Sequence, residues 1–134
     1  MKYFFLILCI ALICFSCDNT ASSGIVDDSA VVKVNDENFQ EKVLGSEQVV
    51  LVDFYADWCG PCQQLNPVVA ALAKQYQGKA VVVKINVDNA PRVSTKYQVS
   101  SIPRLIIFKK GQMIKNVESR DLKSLAKEID AQLY

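Results

Sequence analysis

Residues 49–62 read Val49-Val50-Leu51-Val52-Asp53-Phe54-Tyr55-Ala56-Asp57-Trp58-Cys59-Gly60-Pro61-Cys62, an apolar run with one carboxylate in it, followed by a C-x-x-C pair. A stretch from Val49 to Tyr55 that is apolar at nearly every position fits a central strand covered on both faces. Behind the cysteines, Leu65, Val68, Val69, Leu72, Ala73 and Tyr76 recur at helical spacing. A C-x-x-C pair between such a strand and such a helix is a candidate redox centre. Two thiols so spaced can close a small disulfide. The unpaired backbone N–H groups of a helix start favour a thiolate on the first of them, which makes Cys59 the expected attacking sulfur.

A C-x-x-C pair can also be half of a structural zinc site, which needs two further ligands. The chain has no histidine, and its other cysteines, Cys9, Cys14 and Cys17, all lie near the start. Absence of histidine also excludes Cys-His and Ser-His-Asp catalysis. No metal is expected.

Outward from the centre, strand-like and helix-like segments alternate without an internal repeat. Ala30–Val34 is predicted as a strand, and Asn35 or Asp36 as the cap of a helix through Leu44 that buries Phe39, Val43 and Leu44. Pro67 falls inside the helix after the cysteines and is expected to kink it, and Gly78 to end it. Ala80–Val87 is predicted as a second buried strand containing Lys84, and Asn89–Tyr97 as a short helix with Pro91 near its start. Leu105–Phe108 and Met113–Val117 flank Lys109-Lys110-Gly111-Gln112 as a hairpin, and a last helix presents Leu122, Leu125, Ile129 and Leu133 on one face. The order predicts an α/β fold, a mixed central sheet with helices on both faces.

The length of 134 residues suits one domain, and the net charge is +1. Without Lys2, 14 basic side chains face 14 acidic ones, so no overall field attracts nucleic acid or an anionic membrane. The first segment differs in kind. Met1-Lys2 carries a positive charge, and Tyr3 to Phe15 is unbroken apolar chain ending at Ser16-Cys17, the dimensions of a secretory leader. It is short for a spanning helix, although a retained signal anchor stays open on length alone. Cys17, preceded by the small Ser16 and followed by polar chain, resembles the lipobox of bacterial lipoproteins, whose cysteine becomes the lipidated first residue. Cys14 and Phe15 depart from the usual leucine and small residue at the preceding places, and an ordinary cleaved leader stays open too. Residues 1–17 are thus read as a signal peptide, 18–30 as a polar tether and 31–134 as the folded domain.

Over 31–134 the chain resembles the thioredoxin family. The resemblance rests on Asp53 in its Val-Asp-Phe strand, the Trp58-Cys59-Gly60-Pro61-Cys62 motif, Pro67, Lys84 before Asn86-Val87-Asp88, Ser101-Ile102-Pro103 and Phe108-Lys109-Lys110-Gly111. It implies a thioredoxin fold and thiol-disulfide exchange with no cofactor beyond a Cys59–Cys62 disulfide. Cys59 would attack a substrate disulfide and Cys62 would resolve the mixed disulfide. Asp53, raised in pKa by burial, would pass protons to and from Cys62, with Lys84 moderating its charge. Trp58, Gly60, Pro61, Ile102 and a cis Pro103 would border the substrate. Arg104, where the family has threonine, would bring a positive charge to the sulfur rim. Val117-Glu118-Ser119 replaces a Val-Gly-Ala stretch of the family's substrate groove.

The expected protein is a monomeric, exported, lipid-tethered protein-disulfide reductase. Its substrates are protein disulfides outside the cytoplasm, where a reductase must draw electrons from a membrane thiol transporter or reductase. A disulfide oxidase or isomerase is the alternative enzyme, and a binding module that merely keeps the fold is a third reading.

Overall fold

A computed structural model of the chain describes residues 26–134. The expected leader, the lipidation candidate Cys17 and most of the expected tether lie outside the described residues. Asp27–Ala30, the end of that tether segment, belongs to the fold: Asp27 pairs with Lys74 at 2.7 Å, Val31 N–H donates to the Asp28 carbonyl, and Ala30 packs on the core.

The elements run β1 (Val32–Val34), a π-helical turn (Gln40–Leu44), β2 (Val49–Tyr55), α1 (Gly60–Gln75), β3 (Ala80–Asn86), a 3-10 turn (Val87–Asn89), α2 (Pro91–Lys96), β4 (Arg104–Lys109), β5 (Gln112–Val117) and α3 (Leu122–Leu133). The sheet order is β1-β3-β2-β4-β5. β1, β3 and β2 are parallel, while β4 runs antiparallel to β2, and β5 to β4. β2 is therefore the middle strand, which is why it can be apolar on both sides.

Alternation along the strands divides the core. Val49, Leu51, Val82, Leu105 and Ile107 meet Leu65, Val69 and Leu72 of α1 and Leu125 and Ile129 of α3. Val50, Val52, Phe54, Val83, Ile85, Ile106 and Phe108 meet Phe39, Val43 and Val93 on the other face. There Phe39, Tyr97 and Phe108 form a three-ring cluster with centroids 5.1–5.8 Å apart. Asp53 and Lys84 share the strand phase of Leu51 and Val82, so both point to the α1 side, side by side in the β2–β3 register.

Three expectations need correction. The segment after β1 is a turn running into a π-helical stretch rather than one regular helix, and of the two expected caps Asn35 acts locally while Asp36 does not. The Asn35 side chain accepts from Glu37 N–H and Asn38 N–H, closing a local turn, and Asp36 accepts from the backbone of Arg92 and Val93, serving the start of α2. Second, Leu122 is 40% exposed and borders an open groove with Gln75, leaving Leu125 and Ile129 as the buried residues of α3. Third, α1 gives way at Tyr76 before Gly78, whose φ of +79° serves the turn that follows. α1 itself continues through Pro67.

Strand limits otherwise move by one or two residues. The two-residue turn Lys110-Gly111 has φ of +50° and +75°, and a Cβ on Gly111 would meet the Leu44 carbonyl oxygen at 2.6 Å.

Candidate active site

β2 ends at Tyr55, and the chain crosses Ala56–Cys59 to begin α1 at Gly60. Cys59 is the helix cap: its backbone is extended, and its Sγ accepts the Cys62 N–H at 3.2 Å. Pro61 stands in the first turn, where the missing N–H leaves no bond unmade. Cys59 and Cys62 are joined as a disulfide. Both are buried, Cys59 at 5% exposure and Cys62 at 1%, so Cys62 is the more deeply enclosed residue. Helix-terminal N–H groups stabilise negative charge, and here one already meets Cys59 Sγ.

The ledge carrying the disulfide is strapped from below. Trp58 is 71% exposed but donates its Nε1–H to Asp88 Oδ2 at 2.9 Å. Asn86 Nδ2 donates to Asp57 Oδ2 at 3.1 Å while its Oδ1 accepts the Asp88 N–H, and Gln63 Nε2 donates to the Asp57 carbonyl at 2.8 Å. Across the sulfurs, the Ile102–Pro103 bond is cis and Ile102 packs on the Ala56–Cys59–Cys62 cluster. Pro103 is buried and lines a cleft of about 360 Å³ with Pro61, Gln64, Leu65 and Arg120.

Beneath the ledge lies Asp53, fully buried, with neither carboxylate oxygen hydrogen-bonded to any described residue. Burial pushes its pKa up to about 6, with Lys84 and Arg120 pulling it back. Lys84 is 8% exposed; its ammonium bonds Asn66 Oδ1 and sits 4.0 Å from the centre of the Tyr55 ring. Burial lowers the Lys84 pKa, opposed by the Asp53 charge. Asp53 thus carries a carboxyl that changes protonation near pH 6 on the α1 side of β2, beside a Lys84 that is bonded to Asn66, one helical turn after Cys62.

A strand, a cap-sulfur helix start and a cis proline around one disulfide agree with the comparisons. A sequence model of the family described as Thioredoxin matches residues 30–131. The chain belongs to the thioredoxin family. It is 51% identical over 86 residues to Thioredoxin 1 of Nostoc sp., covering 64% of this chain and 80% of that relative. It is 43% identical over 99 residues to a thioredoxin of Chlorobaculum thiosulfatiphilum, 73% of this chain and 92% of the relative. A thioredoxin of Staphylococcus aureus matches at 47% over 105 residues, 78% of this chain and 99% of its own length. Thioredoxins are thiol-disulfide oxidoreductases that act on protein disulfides without a cofactor, and the C-x-x-C pair that such exchange needs is present here.

Among the expected site residues, Trp58, Gly60, Pro61, Ile102 and Pro103 gather around the disulfide, while Asp53 and Lys84 stand side by side on the α1 side of the sheet, Lys84 bonded to Asn66 one turn after Cys62. Arg104 follows Pro103 but turns along the sheet, donating from Nε to Asn116 Oδ1 at 3.1 Å. The guanidinium that lines the cleft is that of Arg120, whose Nη2 donates to the Pro103 carbonyl at 2.8 Å. Sequence reasoning missed Arg120, because a charged residue in a loop between a strand and a helix carries no local signal. It also missed Asn66. That residue had a signal: it stands four places after Cys62 on the helix face that Leu65 and Val69 bury, a polar side chain in an apolar stripe.

Proposed function

We propose that this protein is an exported, membrane-tethered thioredoxin-type reductase of protein disulfides outside the cytoplasm. The observation that carries the chemistry is the Cys59–Cys62 disulfide capping α1 above a buried, unpartnered Asp53. In the reduced protein the Cys59 thiolate attacks one sulfur of a substrate disulfide. That S–S bond breaks, the leaving sulfur takes a proton, and a mixed disulfide forms on Cys59. The Asp53 carboxylate then accepts the Cys62 proton, directly or through water, and the Cys62 thiolate attacks Cys59 Sγ. The second substrate thiol leaves and the Cys59–Cys62 disulfide returns, two electrons having passed to the substrate. Lys84, held by Asn66, limits the charge that Asp53 builds up.

The reducing direction is supported by the Gly60-Pro61 dipeptide, which resembles the reducing branch of the family. Export and anchoring rest on the leader pattern up to Cys17. Outside the cytoplasm the oxidised pair needs recharging, and a membrane thiol transporter or reductase is the donor this reading requires.

The test is the reduction potential of the Cys59/Cys62 couple, equilibrated against a reference dithiol and read by Trp58 fluorescence. A value near thioredoxin's, about −270 mV, is expected; a value near about −120 mV marks an oxidase instead. Anchoring is read separately, by membrane fractionation and lipid labelling of the full chain: both are expected to vanish in Cys17→Ala, and a labelled Cys17→Ala protein refutes the lipid site.

A further inference from the structure

Charge is divided across the disulfide. On the Trp58 side stand two carboxylates, Asp57 and Asp88, held by Asn86 and Trp58. On the Pro103 side stands Arg120, exposed, with one guanidinium N–H fixed on the Pro103 carbonyl and no ion pair among the described residues. Neither acidic neighbour in its own loop pairs with it: Asp121 accepts the Ser124 N–H at the start of α3, and Glu118 has no ion pair among the described residues. Arg120 reaches the reacting atoms through a short chain of contacts. Pro103 follows Ile102, which packs on Cys59 and Cys62, and the cleft that Arg120 lines is also lined by Pro61, between the cysteines.

We infer that Arg120 is a specificity residue, and that its cleft receives an acidic side chain of the substrate, an Asp or Glu close to the disulfide being reduced. The inference rests on the reading of the Cys59–Cys62 pair as a disulfide reductase and adds which disulfides it prefers. A guanidinium offers five N–H donors in a planar fork suited to a carboxylate, and only one is taken by Pro103. The same bond fixes the side chain in place before the substrate arrives, so less freedom is lost on binding. Pro61, Leu65 and Pro103 supply apolar walls for the stem of a Glu, and Gln64 an amide at its edge. On the Trp58 side, Asp57 and Asp88 disfavour an acid, so the field orients the substrate as well as choosing it.

The experiment uses three short peptides with one intermolecular disulfide each, identical except for Glu, Gln or Lys next to the reacting cysteine. Each is reduced under single-turnover conditions by the full-length reduced protein and by its Arg120→Gln, Arg120→Lys and Arg104→Gln variants. The Glu peptide is expected to react about tenfold faster than the Lys peptide, one attraction against one repulsion, and the ratio should shrink as salt is raised. Arg120→Gln should bring the ratio near one, Arg120→Lys should keep most of it, and Arg104→Gln should leave it within about twofold. A wild-type ratio near one overturns the inference, as does an Arg120→Gln variant that slows all three peptides equally, which would make Arg120 only a brace for the Pro103 loop. Loss of the ratio in Arg104→Gln instead would assign the selection to the wrong arginine. If wild-type protein reduces none of the peptides, it is the reductase reading that fails.

Discussion

The ledge that carries the disulfide and the chamber beneath it are built on opposite principles. On the ledge, Asp57, Asn86, Asp88, Trp58 and Gln63 satisfy one another in a closed set of hydrogen bonds, close to solvent. In the chamber, the Asp53 carboxylate is buried with no hydrogen-bond partner among the described residues, and Lys84 is tied to Asn66 in the neighbouring helix. The ledge is what a stable fold would choose. An unpartnered buried carboxylate is not, since desolvating it destabilises the folded state. Placed under two sulfurs that exchange protons, it makes sense as chemistry retained against stability.

Substitutions should therefore act with opposite signs in the two regions. The largest effect falls on the ledge: Cys59→Ser should abolish disulfide reduction, read as turnover of a protein disulfide in the presence of excess dithiol, and retained turnover would remove Cys59 from its role. In the chamber, Asp53→Asn should stabilise the protein. Asp53 has a folded pKa of about 6 against an ordinary value of 3.8. Between those values the folded state holds more protons than the unfolded one, so stability falls as pH rises. The contribution is whole below pH 4 and lost above about 6, and the difference amounts to roughly 3 kcal/mol. Denaturant melts of wild type and Asp53→Asn should differ by about that much at pH 8 and hardly at all at pH 3.5. An equal difference at both pH values would mean that packing, not charge, sets it.

Kinetics sharpens the same contrast. Resolution of a mixed disulfide by Cys62 should quicken as pH rises through about 6 in the wild type and lose that inflection in Asp53→Asn, whereas the first attack should change little; equal losses in both steps contradict the base assignment. Smaller still is Asn86→Ala on the ledge. It removes the donor to Asp57 and the acceptor for Asp88 N–H, and should cost about 1–2 kcal/mol in a denaturant melt and shift Trp58 emission.

The ledge and its sheet were largely legible in the sequence, and the reason is periodicity. Val49–Tyr55 reads correctly to the residue because a strand buried on both faces leaves an unbroken apolar run, and the helix after Cys59 shows its stripe plainly. Features that depend on distant partners were not legible. Asp36 looks like a local helix cap, yet its acceptors are used more than fifty residues away, at Arg92 and Val93. In the sequence Arg104 stands out by following Pro103, while Arg120 is one more charged residue of a loop. Only the turn from β5 into α3 brings Arg120 to the Pro103 carbonyl, while Arg104 pairs across the β4–β5 hairpin with Asn116.

The central claim is that the two cysteines are not equivalent, the helix-cap Cys59 attacking and the more deeply buried Cys62 resolving. Trapping tests it most directly: incubate reduced Cys62→Ser and Cys59→Ser proteins with a disulfide-bonded peptide and locate any mixed disulfide by mass spectrometry. A stable adduct on Cys59 in the first variant and none on Cys62 in the second is the predicted result. An adduct on Cys62, or none on either sulfur, would contradict the account.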